Sequence, residues 1–206
     1  MNKRHRRLGS LGGCLVDMAS LARGLPVNLH SYMKYVVLRR LRRRTGAQCL
    51  IETGTFRGVT AARCARVFDR VFTVELDLRL ATNAKTYLRR FPNVEVFNGD
   101  AVELLPQIIA RDDAREAVVF LDAHNSGGGT AQRDGPEPAV LELEILGRHA
   151  DRICGIVVDD FRLFGVEPGF PTKADLISAA ERLFPFTHFE LMVHADQLLV
   201  ERRRPG

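Results

Sequence analysis

The sequence predicts an α/β fold, with a doubly wound, mostly parallel seven-stranded sheet, an antiparallel last strand and helices on both faces. From residue 49 onward, short apolar runs alternate with segments of helical periodicity, and this alternation is typical of a parallel sheet. The last two apolar runs, 188–193 and 197–201, are separated only by His194, Ala195 and Asp196. A connection that short forces an antiparallel hairpin, because a parallel return needs a crossover.

Local signals mark where the elements begin and end. Ser31 can cap a helix that Gly46 ends, and Gly54 and Gly58 separate the first strand from the helix that follows it. Pro92 turns the chain into the third strand. The predicted strands are 49–53, 71–75, 94–97, 117–121, 153–158, 188–193 and 197–201. The predicted helices are 15–25 and 31–44, which form an N-terminal extension, and then 59–69, 78–90, 101–110, 138–148 and 172–184.

Composition places the chain among ordinary globular proteins. Its 206 residues, 46% hydrophobic and 27% charged, suffice for one domain with a sizeable core. We assign residues 1–47 to a basic tail with helices and residues 48–206 to the domain. The four cysteines occur singly, which favours buried free thiols over a zinc site or disulfides. Since no apolar run approaches the length of a membrane span, we expect a cytoplasmic protein and no membrane partner.

The net charge of +5 comes mainly from three basic clusters, at residues 3–7, 39–44 and 202–204. Such clusters are suited to an acidic partner. The alternative is that the terminal clusters are solvated tails and that 39–44 is the exposed end of a helix, where arginines also suit the helix dipole.

The stretch from residue 49 to 60 has the pattern of a strand, a glycine turn and a helix, where a ligand binds in such folds. A dinucleotide site needs G-x-G-x-x-G to hold a pyrophosphate, but here the pattern is Glu52-x-Gly54-x-x-x-Gly58. Glu52 is better matched to an ammonium group, and Glu75, which ends the next strand, is placed to accept both hydroxyls of a ribose. A ligand with a ribose, a positive charge and no phosphate is S-adenosylmethionine (SAM).

This pattern resembles the class I SAM-dependent methyltransferases, which have a Rossmann-like fold, the motif E-x-G-x-x-x-G and an acidic residue after the second strand. In that family, the residues corresponding to Asp100 and Ala101 lie beside the adenine, although Asp100 could equally cap the helix that follows it. The resemblance implies a cofactor site formed by Glu52, Gly54, Thr55, Phe56, Gly58, Thr60, Glu75, Leu76, Asp100, Ala101 and Asp122.

Three carboxylates follow two further strands, Asp122 after one and the pair Asp159 and Asp160 after the other. Carboxylates at the ends of adjacent strands can converge on one hard divalent ion such as Mg²⁺. The arrangement resembles the metal-dependent O-methyltransferases, both the catechol type and the macrocin-type sugar enzymes, and the resemblance implies that Asp122, Asp159 and Asp160 are metal ligands. The alternative is that one residue of the pair caps the following loop and the other is an acid that points inward, without binding metal.

For catalysis, the candidates are Asp122 and His124, with His124 as the base that removes the proton of the acceptor; a hydrogen-bonded structural histidine is the alternative. The segment 125–138 is long and glycine-rich, which suits a mobile flap over the substrate. Its polar side chains favour a polyol or glycan over an aromatic acceptor.

The sequence thus predicts a SAM-dependent O-methyltransferase acting on a hydroxylated small molecule or sugar, assisted by Mg²⁺ if the acidic cluster binds metal. One alternative is methylation of a nucleic acid whose phosphates bind to the basic helix end at 39–44. Another is a binding module without catalysis, since a fold alone does not prove activity. The sequence leaves open whether the protein is a homodimer.

Overall fold

The computed structural model describes residues 31–122 and 137–203. The predicted helix 15–25, the basic cluster 3–7, His124 and nearly all of the segment 125–138 lie outside the described residues. Six α-helices and seven strands are present in the described part. The helices are α1 (Ser31–Thr45), α2 (Val59–Cys64), α3 (Leu78–Leu88), α4 (Ala101–Ile109), α5 (Ala139–Gly147) and α6 (Lys173–Leu183). The strands are β1 (Cys49–Thr53), β2 (Arg70–Glu75), β3 (Val94–Asn98), β4 (Ala117–Leu121), β5 (Ile153–Val158), β6 (Phe189–His194) and β7 (Gln197–Arg202).

The seven strands form one sheet in the order β3-β2-β1-β4-β5-β7-β6. Strands β1 to β5 pair in parallel, whereas β7 is antiparallel to both β5 and β6. The hairpin between β6 and β7 turns through Ala195 and Asp196, both with positive φ, as expected for a two-residue hairpin loop. The predicted Rossmann-like sheet with an antiparallel last strand is therefore confirmed.

Within residues 31–122 and 137–203, each face of the sheet carries three helices, so the sheet is the middle layer of the fold. Alternate residues of the central strands point to opposite faces, with Ile51 in one buried cluster and Leu50 in the other. Helices α1, α2 and α3 contribute to the cluster that contains Leu50, and helices α4, α5 and α6 to the one that contains Ile51. Leu38 and Leu41 of α1 are fully buried, so the N-terminal helix shares the core of the domain.

Most predicted boundaries agree with the structure, but helix α2 ends at Cys64, five residues before the predicted end at 69. Strand β2 begins at Arg70, so the intervening residues are needed to reverse the chain toward it. Asp69 N already donates to Gln48 O, at 2.9 Å, outside any helix. In the described part, no helix combines the length and the apolar character needed to cross a bilayer.

Candidate functional site

The glycine-containing loop after β1 is fixed to the neighbouring strand β2. The amides of Gly54 and Thr55 both donate to the carbonyl oxygen of Val74, at 2.9 and 3.0 Å. Gly58 has a φ of 69° immediately before α2, a left-handed conformation that glycine adopts without steric cost. Phe56 shares this conformation, with a φ of 47°, and its side chain is half exposed. The loop thus directs its backbone toward the carboxyl edge of the sheet, where ligands bind in such folds.

Glu75 joins this loop to the turn after β2. Its Oε2 atom accepts from the amide of Phe56 at 2.6 Å, and its Oε1 atom accepts from the amide of Asp77 at 3.0 Å. Each carboxylate oxygen has a second lone pair, so hydrogen bonds to ribose hydroxyls are compatible with these contacts. The ribose role of Glu75 stays a prediction.

Glu52 is buried at the end of a chain of hydroxyl contacts that runs through Thr73 to Thr55. Thr73 Oγ1 donates to Glu52 Oε2 at 2.6 Å, and Thr55 Oγ1 lies 2.6 Å from Thr73 Oγ1. Burial raises the pKa of Glu52 to about 8, although the Thr73 hydrogen bond and the charge of Lys34 oppose the increase. The carboxyl group is therefore largely protonated at neutral pH until a cation approaches it.

The adenine end of the predicted site lies between the ends of β2 and β3. Asp100 caps helix α4, because its Oδ1 accepts from the amide of Val102 at 2.8 Å, and Ala101 is the first residue of that helix. The predicted cap is confirmed, whereas the adenine contact stays a prediction. Sequence reasoning missed Asn98, whose Nδ2 donates to the carbonyl oxygens of Glu75 and Leu76 at 2.8 and 3.1 Å. Leu76 is partly exposed there, and Thr60, also in the predicted set, is buried on α2.

The three predicted acidic ligands come together at the ends of β4 and β5. One oxygen from each of Asp122, Asp159 and Asp160 lies within 4.8 Å of the others. The backbone aligns the first two, since Asp122 N donates to Thr53 O and Asp159 N donates to Leu121 O, both at 3.0 Å. Asp159 is almost fully buried, and Asp160 takes a left-handed φ of 52°. This geometry confirms that the carboxylates converge.

A lysine that the sequence analysis missed lies between two of these carboxylates. Lys34 Nζ is 2.9 and 2.8 Å from the two oxygens of Asp122 and 2.6 Å from Asp159 Oδ2. Burial alone would lower the pKa of Lys34, but the charges of Asp122 and Asp159 outweigh burial and raise the pKa above its usual range. Lys34 is on α1, one turn before the buried Leu38, and this helical spacing is the only signal that could have placed it near the sheet.

Two more polar residues fix the acidic pair after β5. Gln197 Nε2, fully buried at the start of β7, donates to Asp159 Oδ1 at 2.8 Å. Arg162 Nη1 donates to Asp160 Oδ1 at 2.7 Å and also pairs with Asp196 of the hairpin turn. Asp159 is thus oriented directly by a residue of β7, whereas Asp160 is oriented by the nearby Arg162, which the hairpin residue Asp196 holds in turn.

The acidic cluster suits a hard divalent ion in its donor chemistry, because all three ligands are carboxylates. Its charge is already partly compensated, however, because Lys34 lies between Asp122 and Asp159. His124, the predicted base, falls outside the described residues, two positions after Asp122.

No known protein-family model matches the sequence, and neither does any curated protein. Many solved structures share its fold. An O-methyltransferase from Bacillus cereus in complex with S-adenosylhomocysteine (SAH) is 19% identical over 94% of this chain and 89% of its own, with a TM-score of 0.59. The N-terminal domain of EvdMO1, crystallised in the presence of SAH and D-fucose, is 19% identical over 82% of each chain, with a TM-score of 0.56.

A third similar structure, from Clostridium thermocellum, is assigned as an rRNA methylase. It is 14% identical over 83% of this chain and 96% of its own, with a TM-score of 0.58. At these identities the likeness concerns the fold, and it agrees with the strand order and the hairpin described above. The chain therefore has the fold of the class I SAM-dependent methyltransferases, O-methyltransferases among them.

Proposed function

We propose that this protein is a SAM-dependent O-methyltransferase that acts on a hydroxylated small molecule or a sugar. The observation that carries the proposal is the arrangement of two acidic groups along one edge of the sheet. Glu52 and Glu75 flank the glycine loop after β1, and the Asp122–Asp159–Asp160 cluster follows the neighbouring strands β4 and β5. The first group suits a cationic nucleoside, and the second can accept the hydrogen bond of the hydroxyl group that receives the methyl group.

Each residue of the proposed site has a distinct role. Glu52 would face the amino group of the methionine moiety, and Glu75 would hold the ribose, with the loop amides kept in place by Val74. When bound, SAM offers an electrophilic methyl group to the acceptor hydroxyl, whose proton must pass to a base. His124 is the proposed base. If Mg²⁺ assists the reaction, Asp122, Asp159 and Asp160 are the residues that would hold it, and its chemistry would be to lower the pKa of a hydroxyl bound to it.

Two similar structures support this choice of substrate class. The Bacillus cereus protein is an O-methyltransferase with SAH, and the EvdMO1 domain was crystallised with SAH and a sugar. The segment 125–138 contains polar side chains that suit the same class of acceptor. They include Asn125, Ser126, Thr130, Arg133 and Asp134.

Isothermal titration with SAM tests the proposal. We expect Glu75→Ala to abolish SAM binding and Asp159→Ala to spare it, with Glu181→Ala, an exposed glutamate on α6, as the matched control. Glu75 also accepts hydrogen bonds from two backbone amides, so its removal can disturb the fold. Circular dichroism should therefore establish that the variant is folded. The proposal fails if the wild-type protein does not bind SAM at saturating concentration, or if NADH binds in its place.

A second candidate function is methylation of RNA, and the exposed face of α1 favours it. Arg39, Arg40, Arg43 and Arg44 are exposed and, with Val36, line a cavity of about 360 Å³. A neighbouring cavity of about 540 Å³ is lined by four arginines and two glutamates, and Glu201 forms an ion pair with Arg44 there; the lining residues are Arg43, Arg44, Glu190, Glu201, Arg202 and Arg203. The similar structure from Clostridium thermocellum, which is assigned as an rRNA methylase, supports this candidate.

The salt dependence of RNA binding separates the two candidates. Each phosphate contact to single-stranded RNA should contribute about −0.7 to the slope of log K against log salt. If RNA is the substrate and each arginine contacts one phosphate, the double variant Arg39→Ala/Arg40→Ala should flatten that slope by about 1.4. An unchanged slope, or binding no stronger than about millimolar at physiological salt, would remove this candidate.

We also propose a reducing, cytoplasmic setting. Cys49, Cys64 and Cys154 are buried free thiols, and burial raises the pKa of Cys49 to about 12. Such thiols are inert rather than reactive. Treatment with a thiol reagent under native conditions should leave all three unmodified, and labelling of any of them without unfolding would contradict their structural role.

A further inference from the structure

The ammonium group of Lys34 contacts three carboxylate oxygens of the Asp122–Asp159–Asp160 cluster, which is the proposed acceptor site. Both oxygens of Asp122 lie within 2.9 Å of Nζ, and Asp159 Oδ2 lies at 2.6 Å. The ammonium group donates hydrogen bonds to the two Asp122 oxygens, and its contact with Asp159 Oδ2 is an ion pair. The Lys34 side chain is only 14% exposed, which distinguishes the contact from a surface ion pair.

The helix that carries Lys34 is itself anchored. Leu38 and Leu41, on the next two turns of α1, are buried against the sheet, and the aromatic ring of Phe120 lies 5.7 Å from the Lys34 ammonium. Lys34 therefore reaches the ends of β4 and β5 from a fixed element rather than from a loop.

A divalent ion bound by Asp122 and Asp159 would occupy the space that the Lys34 ammonium group fills. It would also neutralise the same two carboxylates. Mg²⁺ binds carboxylate oxygens at about 2.0–2.1 Å and accepts little distortion of its octahedral geometry. The ammonium nitrogen lies 2.6 to 2.9 Å from the same oxygens, so a metal ion there would be in contact with a positive charge. Arg162, already paired with Asp160, adds a second positive charge nearby.

We propose that Lys34 is the resident cation of this site, and that the Lys34 ammonium and a divalent ion exclude one another between Asp122 and Asp159. This deepens the proposed function, on which it rests for the identity of the acceptor site. It makes metal binding depend on a residue of the N-terminal helix, not only on the three acids. The wild-type protein is then metal-free at millimolar Mg²⁺, with Lys34 neutralising the carboxylates.

Binding of Mn²⁺, followed by the electron paramagnetic resonance signal of the free ion, tests this directly. We expect Lys34→Met to bind Mn²⁺ at least about 100-fold more tightly than the wild-type protein, which corresponds to about 2.8 kcal/mol. Lys85→Met, at an exposed lysine on α3, is the matched control and should behave as wild type. The double variant Lys34→Met/Asp159→Asn should lose the gained affinity, which would locate the ion at the acidic cluster.

Thermal unfolding gives a second readout on the same proteins. Lys34→Met leaves two carboxylates close together without their cation, so its Tm should fall and should recover when Mn²⁺ is added. The wild-type Tm should not respond to Mn²⁺. Equal Mn²⁺ affinity in the wild-type and Lys34→Met proteins would overturn the proposal, and so would a folded Lys34→Met variant that binds no Mn²⁺.

A measurement on the wild-type protein covers the case in which Lys34→Met does not fold. The ammonium resonance of Lys34 can be followed in ¹H–¹⁵N spectra during a titration with Mg²⁺. We expect the resonance to stay unchanged and no Mg²⁺ to bind up to several millimolar, and any saturable binding at higher concentration should move the resonance from its ion-paired position. Saturation with the resonance unchanged would overturn the proposal. None of these titrations contains SAM, so a failure of SAM binding would count against the proposed function alone.

Discussion

Glu75, the last residue of β2, accepts a hydrogen bond of 2.6 Å from the backbone amide of Phe56, in the loop that follows β1. Its other oxygen accepts from Asp77, the residue that caps α3. One carboxylate therefore ties the loop after β1 to the turn after β2. The predicted cofactor cleft lies between these two segments, so its shape depends on a residue that is also predicted to touch the ligand.

Replacement of Gly58 by alanine should disturb this cleft. An added Cβ would lie 3.0 Å from Leu88 Cδ1, and the φ of 69° would cost about 1 kcal/mol for a residue with a side chain. Gly46→Ala is the matched control, because its φ is 81° but no atom lies within 4 Å of the added Cβ. We expect Gly58→Ala to lower the free energy of unfolding by more than Gly46→Ala and to weaken SAM binding. Equal losses in urea unfolding would show that the Leu88 contact relaxes at no cost.

Glu52→Gln should change how stability depends on pH. Burial raises the pKa of Glu52 from 4.5 to about 8, so the native state holds a proton that the unfolded chain has released. The free energy of unfolding should therefore fall as pH rises from about 4.5 to 8, by up to about 1.4 kcal/mol per pH unit from this group. Glu52→Gln cannot ionise and should remove this decline. Denaturant midpoints at pH 5 and pH 8 measure it, and parallel profiles for the two proteins would contradict the expectation.

Binding of SAM should release a proton near pH 7. The ammonium group of SAM, placed beside Glu52, would favour the carboxylate and lower its pKa from about 8. Titrations in phosphate and in Tris, which differ in ionisation enthalpy, should then give different apparent binding enthalpies. The difference should vanish in Glu52→Gln. Identical enthalpies for the wild-type protein would mean that the cation binds elsewhere.

Gln197→Leu should affect the proposed acceptor site at the Asp122–Asp159–Asp160 cluster. It should spare the proposed cofactor site at Glu52 and Glu75. Without the 2.8 Å hydrogen bond from Gln197, one buried oxygen of Asp159 loses a donor. We expect the free energy of unfolding to fall by about 1–3 kcal/mol, with methyl transfer reduced and SAM affinity unchanged. Gln107→Leu, at an exposed glutamine on α4, is the control and should stay within about 0.5 kcal/mol of wild type. A loss of SAM affinity in Gln197→Leu would show that the two ends of the site are coupled.

The centre of the sheet could be predicted in detail because β4 and β5 are continuous apolar runs and β1 begins as one. Strands β1, β4 and β5 have the predicted bounds, and all of their residues are buried. A parallel strand covered on both faces has no polar side, so its sequence is distinctive. The convergence of Asp122 with Asp159 followed from the same signal, since each acid comes directly after such a strand.

The partners of these acids could not be predicted in the same way. Lys34 is 88 positions from Asp122, and Gln197 is 38 positions from Asp159. Helical spacing shows which face of α1 is buried, but it does not give the distance along the strands at which Lys34 meets the sheet. Contacts of this kind depend on how the elements pack, which a local pattern does not encode. The loop hydrogen bonds of Glu75 were missed for the same reason.

The turn between β6 and β7 has a consequence for the order in which the protein assembles. Asp196 of that turn holds Arg162, and Gln197 beside it holds Asp159, so two of the three clustered acids gain their final orientation from the hairpin. A chain that ended before this hairpin would lack Asp196 and Gln197, so Arg162 and Asp159 would be without these partners. The geometry of the acidic cluster is therefore completed only when β7 pairs with β5.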